Sequence, residues 1–387
     1  MFVAPHTVYD QLPMPQDAAS REEYVQRRQT YRLEFVPDHV AAVEAIVAAV
    51  DGHSAVVISD ETVNGLLPTQ RIKDAIKARG ILLDSTAVPA GERSKSLGTA
   101  VQLIDWLADI GFARRDVLIG VGGGMIMDLV GFVASVFMRG VPYINVPTTL
   151  LAQVDAAVGG KVGVDHVTAK NLVGAFWQPR VVVSSTEFLD TLDRRQVRAG
   201  LAEVVKEAVI ASPDLFAYIE ANAEGLLVCE PELMSRLVVA ASVIKCELID
   251  RDPFEVDLRR PLNFGHTVGH AVEAVTGYGP VLHGEAVACG MGIAVRVAAN
   301  RGLIDSAFAY RVIGLLGRLG LPTRLDQLPV VPEIEHLLDN LAAIRRIRDG
   351  SLRFVLPLGL GSTVIVDDVT DDEVRSALSL VGPEAAG

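Results

Sequence analysis

Asp116-Val-Leu-Ile-Gly120-Val-Gly122-Gly123-Gly124-Met-Ile-Met-Asp128 runs a strand, a glycine loop and the start of a helix together. Asp116–Gly120 is apolar enough for a buried strand, and Met125–Met138 is expected to be helical. Glycines between a strand end and a helix N-terminus let backbone N–H groups approach a pyrophosphate, whose charge the helix dipole favours. The spacing is not GxGxxG, because residue 125 is Met, so a tight structural turn is the competing reading.

The flanking chain extends the same pattern. Tyr31–Phe35, Ser54–Ser59 and Ile81–Val88 are expected strands; Val40–Val50 and Gln70–Arg79 are expected helices. Gly91-Glu92-Arg-Ser-Lys95-Ser opens a helix reaching Ile110, and Val141–Val146 is a strand ending in Pro147-Thr148-Thr149. Strands alternating with helices predict an open parallel sheet wound on both faces. Asp60, at the end of its strand, is placed either to bind a ribose or to cap a helix. Beyond about residue 190 amphipathic helices dominate: Arg195–Ala211, Pro231–Asp250, Thr267–Val275, Glu285–Ala299 and Ala307–Leu319, with a hairpin at Leu352–Val366. The expected organisation is a polar extension (1–30), a Rossmann-like α/β domain (31–190) and a mostly α-helical domain (191–387).

Bulk composition narrows the partners. A chain of 387 residues suggests two domains, and no stretch of eighteen apolar residues without charge is present. The formal charge of −13 argues against bulk nucleic-acid or anionic-membrane binding. No basic region followed by an apolar stretch opens the chain, and Cys229, Cys246 and Cys289 stand in no motif spacing. A cytoplasmic protein without disulfides is expected.

Three clusters carry chemistry. Asn263-Phe-Gly-His266-Thr-Val-Gly-His270 is followed by His283-Gly-Glu. His266 and His270 share a helical face, so they are either core histidines or, with His283, ligands of a transition metal. Gly159-Gly160-Lys161 suits a phosphate or carboxylate, or is a turn with a solvated lysine. Glu203 and Lys206 are neighbours on one face of a helix too apolar to be wholly solvated, which favours a cleft-lining pair over a surface salt bridge.

Taken in order, these motifs resemble the sugar phosphate cyclases, and among them the 3-dehydroquinate synthases. The carriers include Gly91-Glu92-x-x-Lys95, Gly122-Gly-Gly-x-x-x-Asp128, Arg139-Gly140, Pro147-Thr-Thr, Val154-Asp155 to Lys161, Lys170-Asn171, Gly200-Leu-Ala-Glu203-Val-Val-Lys206, Lys245, Arg259, Asn263 to His270 and His283-Gly-Glu. The resemblance implies a dehydroquinate synthase-like fold with Glu203, His266 and His283 on a divalent metal, zinc or cobalt; His270 then serves the phosphate instead. It implies NAD against Gly123, Gly124 and Asp128, with Asp60, Glu92, Lys95, Thr148, Thr149, Lys170 and Thr191 around it. Substrate would be held by Asp155, Lys161, Asn171, Lys206, Lys245, Arg259, Asn263 and His270, and Arg139 would reach across a homodimer interface. The implied reaction is that of a carbon–oxygen lyase acting on a phosphate. Transient oxidation by NAD, phosphate elimination, re-reduction and an intramolecular aldol step close a carbocycle.

Departures from the pattern bear on substrate. Ile344-Arg345-Arg346 stands where those synthases carry Asp-Lys-Lys, and arginine replaces lysine as a phosphate clamp only imperfectly. Thr191-Leu-Asp193 replaces Thr-Leu-Pro, and Met127 stands where glycine is common. Lys245, Arg259, Asn263 and His270 are retained and favour a heptulosonate 7-phosphate, giving 3-dehydroquinate or a close secondary-metabolism variant. The alternatives are a cyclase for a non-acidic sugar phosphate (valiolone- or 2-deoxy-scyllo-inosose-type) and a metal-dependent NAD polyol dehydrogenase. The phosphate-binding set Lys161, Asn171, Arg259 and His270 speaks against the last.

Overall fold

The computed structural model describes residues 30–166, 169–252, 260–347 and 352–379; Arg259, Asp349, Gly350 and the extension through residue 29 lie outside them. The first half is built on strands β1 (Arg32–Phe35), β2 (Ala55–Asp60), β3 (Leu82–Val88), β4 (Val117–Gly122), β5 (Tyr143–Pro147), β6 (Lys161–His166), β7 (Ala169–Phe176) and β8 (Val181–Ser184). Among them run helices α1 (His39–Val50), α2 (Glu61–Asn64), α3 (Leu67–Ala78), α4 (Leu97–Asp109) and α5 (Gly124–Val136). Six strands form one parallel sheet in the order β1-β8-β5-β4-β2-β3. Strands β2 and β4 are buried along their whole length, because alternate residues feed two cores. Val56 and Ile58 pack with α4 and α5, while Ala55 and Val57 pack with α1 and α3.

The sheet order fixes where a ligand sits. After β2 the chain steps outward to β3, then returns to the opposite side of β2 for β4. That reversal opens a crevice beyond the carboxyl ends of β2 and β4, the place where doubly wound sheets bind dinucleotides. Asp60 and the glycine loop end those two strands.

From Arg194 onward the chain is helical: α6 (Arg194–Ala211), α7 (Pro213–Leu227), α8 (Pro231–Arg251), α9 (His266–Val275), α10 (His283–Asn300), α11 (Ser306–Arg318), α12 (Ile334–Ile347) and α13 (Asp371–Ser379). A hairpin, β9 (Phe354–Gly359) with β10 (Ser362–Val366), lies against α10 and α6. The change of architecture near residue 190 falls inside one compact unit, Tyr31–Gly387.

Several features were not read from the sequence, β8 and α2 among them. β6 and β7 form an antiparallel hairpin outside the main sheet, held to the Lys95 loop by the Asp165 N–H, which donates to the Lys95 carbonyl at 2.8 Å. Ala152–Ala156 is a π-helical turn carrying Asp155. Helices α7, α12 and α13 were also missed.

Candidate active site

Helix α6 presents Glu203 and Lys206 from a buried stretch, Ala199–Ile210, with 0% and 1% of their surfaces exposed. Two ions so deep survive only if paired. Lys206 Nζ donates to Glu203 Oε2 at 2.5 Å and lies 3.8 Å from Asp155 Oδ1. Burial alone would lower the Lys206 pKa, but Glu203 and Asp155 outweigh it and raise it, so it stays an ammonium. Burial would raise Asp155, yet Lys245 and Lys206 bring it down to about 2. Lys245 completes the group, donating to Asp155 Oδ1 at 2.6 Å and to the Asp155 carbonyl.

The other oxygen, Glu203 Oε1, is buried and has no hydrogen-bond partner. His283 Nε2 lies 3.5 Å from it and His266 Nε2 3.7 Å. Each ring is held from behind through Nδ1: His266 against the Phe264 carbonyl at 3.1 Å, His283 against Glu273 Oε2 at 3.1 Å. That turns both Nε2 atoms toward Glu203. Burial is the main cause that lowers His266 to about 4, leaving it neutral; His283, despite burial, is raised to about 10 by Glu273 and Glu203.

These donors fit a divalent cation. Ligand atoms about 2.1 Å from a tetrahedral zinc stand about 3.4 Å apart, close to the 3.5 and 3.7 Å seen here. The orphaned Glu203 oxygen is the atom a cation would satisfy. His270, Glu273 and His283 form a second, overlapping group of donors on the other side of the His283 ring. The three imidazoles cluster with centroids 5.2–5.8 Å apart, and His270 is the one open to solvent.

Packing of α10 sets this geometry. A Cβ on Gly284 would lie 1.9 Å from the Ala199 carbonyl oxygen, and one on Gly290 would lie 2.0 Å from the Gly265 carbonyl oxygen. Only glycine lets α10 approach α6 and α9 so closely, and those contacts bring His283 to Glu203 and His266. Glu285 finishes the His-Gly-Glu motif: it accepts from the Leu282 N–H at 2.9 Å and from Arg195 at 2.5 and 2.7 Å, tying the first turn of α10 to α6.

At the sheet crevice, Asp60 Oδ1 caps α2 through Thr62 and Val63 N–H groups, while Oδ2 faces Gly122. The loop glycines serve close approach: Gly123 has an extended backbone, and a Cβ on Gly122 would strike Ile126 Cγ1 at 2.7 Å. No side chain caps α5, which leaves its first N–H groups facing the crevice. Thr148 donates its N–H to the Gly122 carbonyl, and Thr149 Oγ1 accepts from Ala152 N–H. Lys95, 4% exposed, pairs with Asp128 at 2.5 Å and also donates to Asn171 Oδ1, placing Asn171 on the crevice side. Lys170 bridges Glu92 and Glu273, each at 3.0 Å.

Thr191 is exposed in the loop before α6, Lys161 is exposed at the start of β6, and Asn263 is half-buried just before His266. Arg345 turns to Asp371 at 3.0 Å, and Arg346 is exposed at the end of α12. Arg139 is exposed in a turn where Met138 and Arg139 both have left-handed backbones, φ 47° and 64°. Sequence reasoning missed Glu273 and Glu207. Glu273 lies seven residues after His266 on α9, a spacing that returns to the same face after two turns.

Known proteins resemble this chain along most of its length. A family model described as 3-dehydroquinate synthase N-terminal matches residues 85–199, and its C-terminal counterpart matches 200–342. A 2-epi-valiolone synthase of Actinosynnema mirum is 58% identical over 375 residues, 97% of this chain and 98% of that protein. A 3-dehydroquinate synthase of Caldanaerobacter subterraneus subsp. tengcongensis is 42% identical over 319 residues, 82% of this chain and 88% of that protein. The solved structure of ValA, a 2-epi-5-epi-valiolone synthase from Streptomyces hygroscopicus with NAD+ and Zn2+ bound, superposes with a TM-score of 0.83 at 30% identity, covering 92% of this chain and 98% of that one.

Proposed function

Because the chain belongs to the 3-dehydroquinate synthase family of sugar phosphate cyclases, we propose that it closes a carbocycle from a heptulose 7-phosphate lacking a carboxylate, as a carbon–oxygen lyase that releases phosphate. The observation that carries the choice of substrate is the 58% identity, over 97% of the chain, to a 2-epi-valiolone synthase. The pairing of charges supports it. Lys245, expected with Arg259 to meet a substrate carboxylate, is already bound by Asp155. The second reading, a 3-dehydroquinate synthase of the shikimate pathway, is favoured by the retention of Lys245, Asn263 and His270 and by the 42% match.

Glu203, His266 and His283 would hold zinc or cobalt, and the crevice between β2 and β4 would hold NAD. NAD supplies a hydride acceptor regenerated within the cycle, and the cation a Lewis acid toward ring hydroxyls. Lys206, held as an ammonium, and Asp155, held as a carboxylate, are a donor and an acceptor fixed beside the metal ligands for the hydroxyl groups of the ring. Lys161, Arg259, Asn263 and His270 are assigned to the phosphate. Its own oxygens take the proton from carbon, so the protein's task is to position and polarise.

We further place the protein in the cytoplasm as a homodimer. Exposed Val136 and Met138 flank Arg139, whose left-handed backbone is the kind of strain that functional contacts retain. No helix of the described residues is long and apolar enough to cross a membrane.

The test is to incubate the full chain with NAD+, zinc or cobalt and a panel of C6 and C7 sugar phosphates, measuring phosphate release, NADH absorbance and product by NMR. A non-acidic heptulose 7-phosphate is expected to turn over with no net NADH. Faster turnover of the heptulosonate establishes the second reading. NADH accumulation without phosphate release makes the protein a dehydrogenase instead.

A further inference from the structure

An alternating line of acid and base runs from the glycine loop to the metal ligands. Asp128 pairs with Lys95 at 2.5 Å, Lys95 lies 4.0 Å from Glu92, and Glu92 is 3.0 Å from Lys170. Lys170 is 3.0 Å from Glu273, and Glu273 is 3.1 Å from His283 Nδ1. The line crosses from the β7 strand to α9, and Glu273 is the joint where it passes into the metal site.

Glu273 is 2% exposed and uses both oxygens, Oε1 for Lys170 and Oε2 for His283. The two imidazole ligands differ in what steadies them. His266 leans on a backbone carbonyl two residues away, whereas His283 leans on a side chain that is itself anchored by Lys170. A carboxylate behind a ligating imidazole fixes the ring and raises its basicity. Lys170, seated 4.9 Å from the centre of the Tyr278 ring, divides its charge between Glu92 and Glu273.

We propose that Glu273 is a positioning residue that couples the two halves of the site, so that NAD and the divalent cation each strengthen the other's binding. The proposal rests on the NAD and metal assignments made above. A dinucleotide that draws Glu92 toward its ribose leaves Lys170 to Glu273 alone. That steadies the carboxylate and, through it, the His283 ring. Linkage then requires the reciprocal effect of the cation on NAD.

Glu273→Gln keeps the shape while breaking the joint. The two donors meet different oxygens of the carboxylate, so the one carbonyl oxygen of glutamine faces Lys170 or His283 and its NH2 group opposes the other. Lys170→Met cuts the line one residue earlier and leaves Glu273 on His283.

The experiment measures cobalt(II) affinity of the full chain by competition with a chromophoric chelator, without NAD+ and with NAD+ at saturation for each variant. NAD+ is expected to tighten cobalt binding about tenfold in the unmodified chain. Glu273→Gln should weaken cobalt binding about 10- to 100-fold and abolish the NAD+ effect. Lys170→Met should abolish the NAD+ effect even at NAD+ concentrations shown by separate titration to saturate that variant, which loss of cofactor contact alone would not produce. The double variant should resemble Glu273→Gln. If NAD+ leaves cobalt affinity of the unmodified chain unchanged, or if Glu273→Gln keeps the tenfold effect, the coupling is refuted. Absence of cobalt binding by the unmodified chain would instead overturn the metal assignment.

Discussion

Gly284 approaches Ala199 so closely that any side chain at residue 284 would collide with the Ala199 carbonyl oxygen, 1.9 Å from the Cβ position. The obstacle is helix backbone, which cannot swing away as a side chain does. Gly284→Ala must therefore push α10 off α6 and carry His283 away from Glu203. Overpacking of this kind costs about 1–3 kcal/mol or more. In a chain of this size the melting temperature should fall by about 1 °C per kcal/mol, and so by about 1–4 °C. Bound zinc, measured by elemental analysis after gel filtration, should fall with it. Gly284→Ala that keeps stoichiometric zinc would show that α10 does not set the ligand geometry.

Glu203 has two duties, one oxygen for Lys206 and one for the cation, and its variants separate them. Glu203→Ala removes both and leaves a buried ammonium with Asp155 at 3.8 Å as its nearest partner. A loss of about 3–5 kcal/mol in stability is expected from breaking a buried pair, together with loss of zinc and of turnover. Glu203→Gln retains the shape and an acceptor for Lys206, so it should lose zinc and turnover with a smaller drop in melting temperature. Metal content and thermal melts of both variants check this; equal destabilisation by the two would count against separate duties.

Most of the alternation of strands and helices up to residue 147, and five of the helices after 190 (α6, α8, α9, α10 and α11), were legible because apolar periodicity and glycine punctuation are local. The β6–β7 hairpin was not, since it is short, contains glycine and joins no strand of the main sheet. At the site, the i,i+4 spacing of His266 and His270 showed a shared face but could not distinguish a ligand from its neighbour. Glu203, sixty-odd residues upstream, was identified only through the ordered set of motifs. The roles of Gly284 and Glu273 depend on how α10 meets α6 and α9, and no sequence spacing encodes that contact.

Glu285 caps the helix that begins with His283, so its loss should reach the metal. Its carboxylate satisfies the Leu282 N–H and holds Arg195, an ion pair that is partly exposed and so contributes little by itself. Removing the cap with Glu285→Ala should cost about 0.5–2 kcal/mol. The first turn of α10 should loosen, and zinc affinity should fall because His283 is its first residue. Glu285→Gln, which preserves the cap but weakens the Arg195 contact, should lie between the two. Chelator competition on the three proteins gives the order; Glu285→Ala binding zinc as tightly as the unmodified chain would exclude a link between cap and ligand.

Glu207 makes the last prediction, because it is a fully buried carboxyl whose oxygens find no hydrogen-bond partner among the described residues. Burial is the largest influence on it; Lys206 and Lys245 oppose that influence without overcoming it, and the pKa is raised well above the ordinary value. Folded, the group keeps its proton to a higher pH than it does unfolded, where it releases the proton above about pH 4.3. The unfolded state thus binds fewer protons across that window, so stability contributed by Glu207 is lost as pH climbs from the unfolded pKa toward the folded one. Glu207→Gln removes the titration and keeps the shape. Its melting temperature should be close to that of the unmodified chain near pH 5 and higher by several degrees at pH 8. A difference that stays constant between those pH values would mean that Glu207 is ionised in the folded protein.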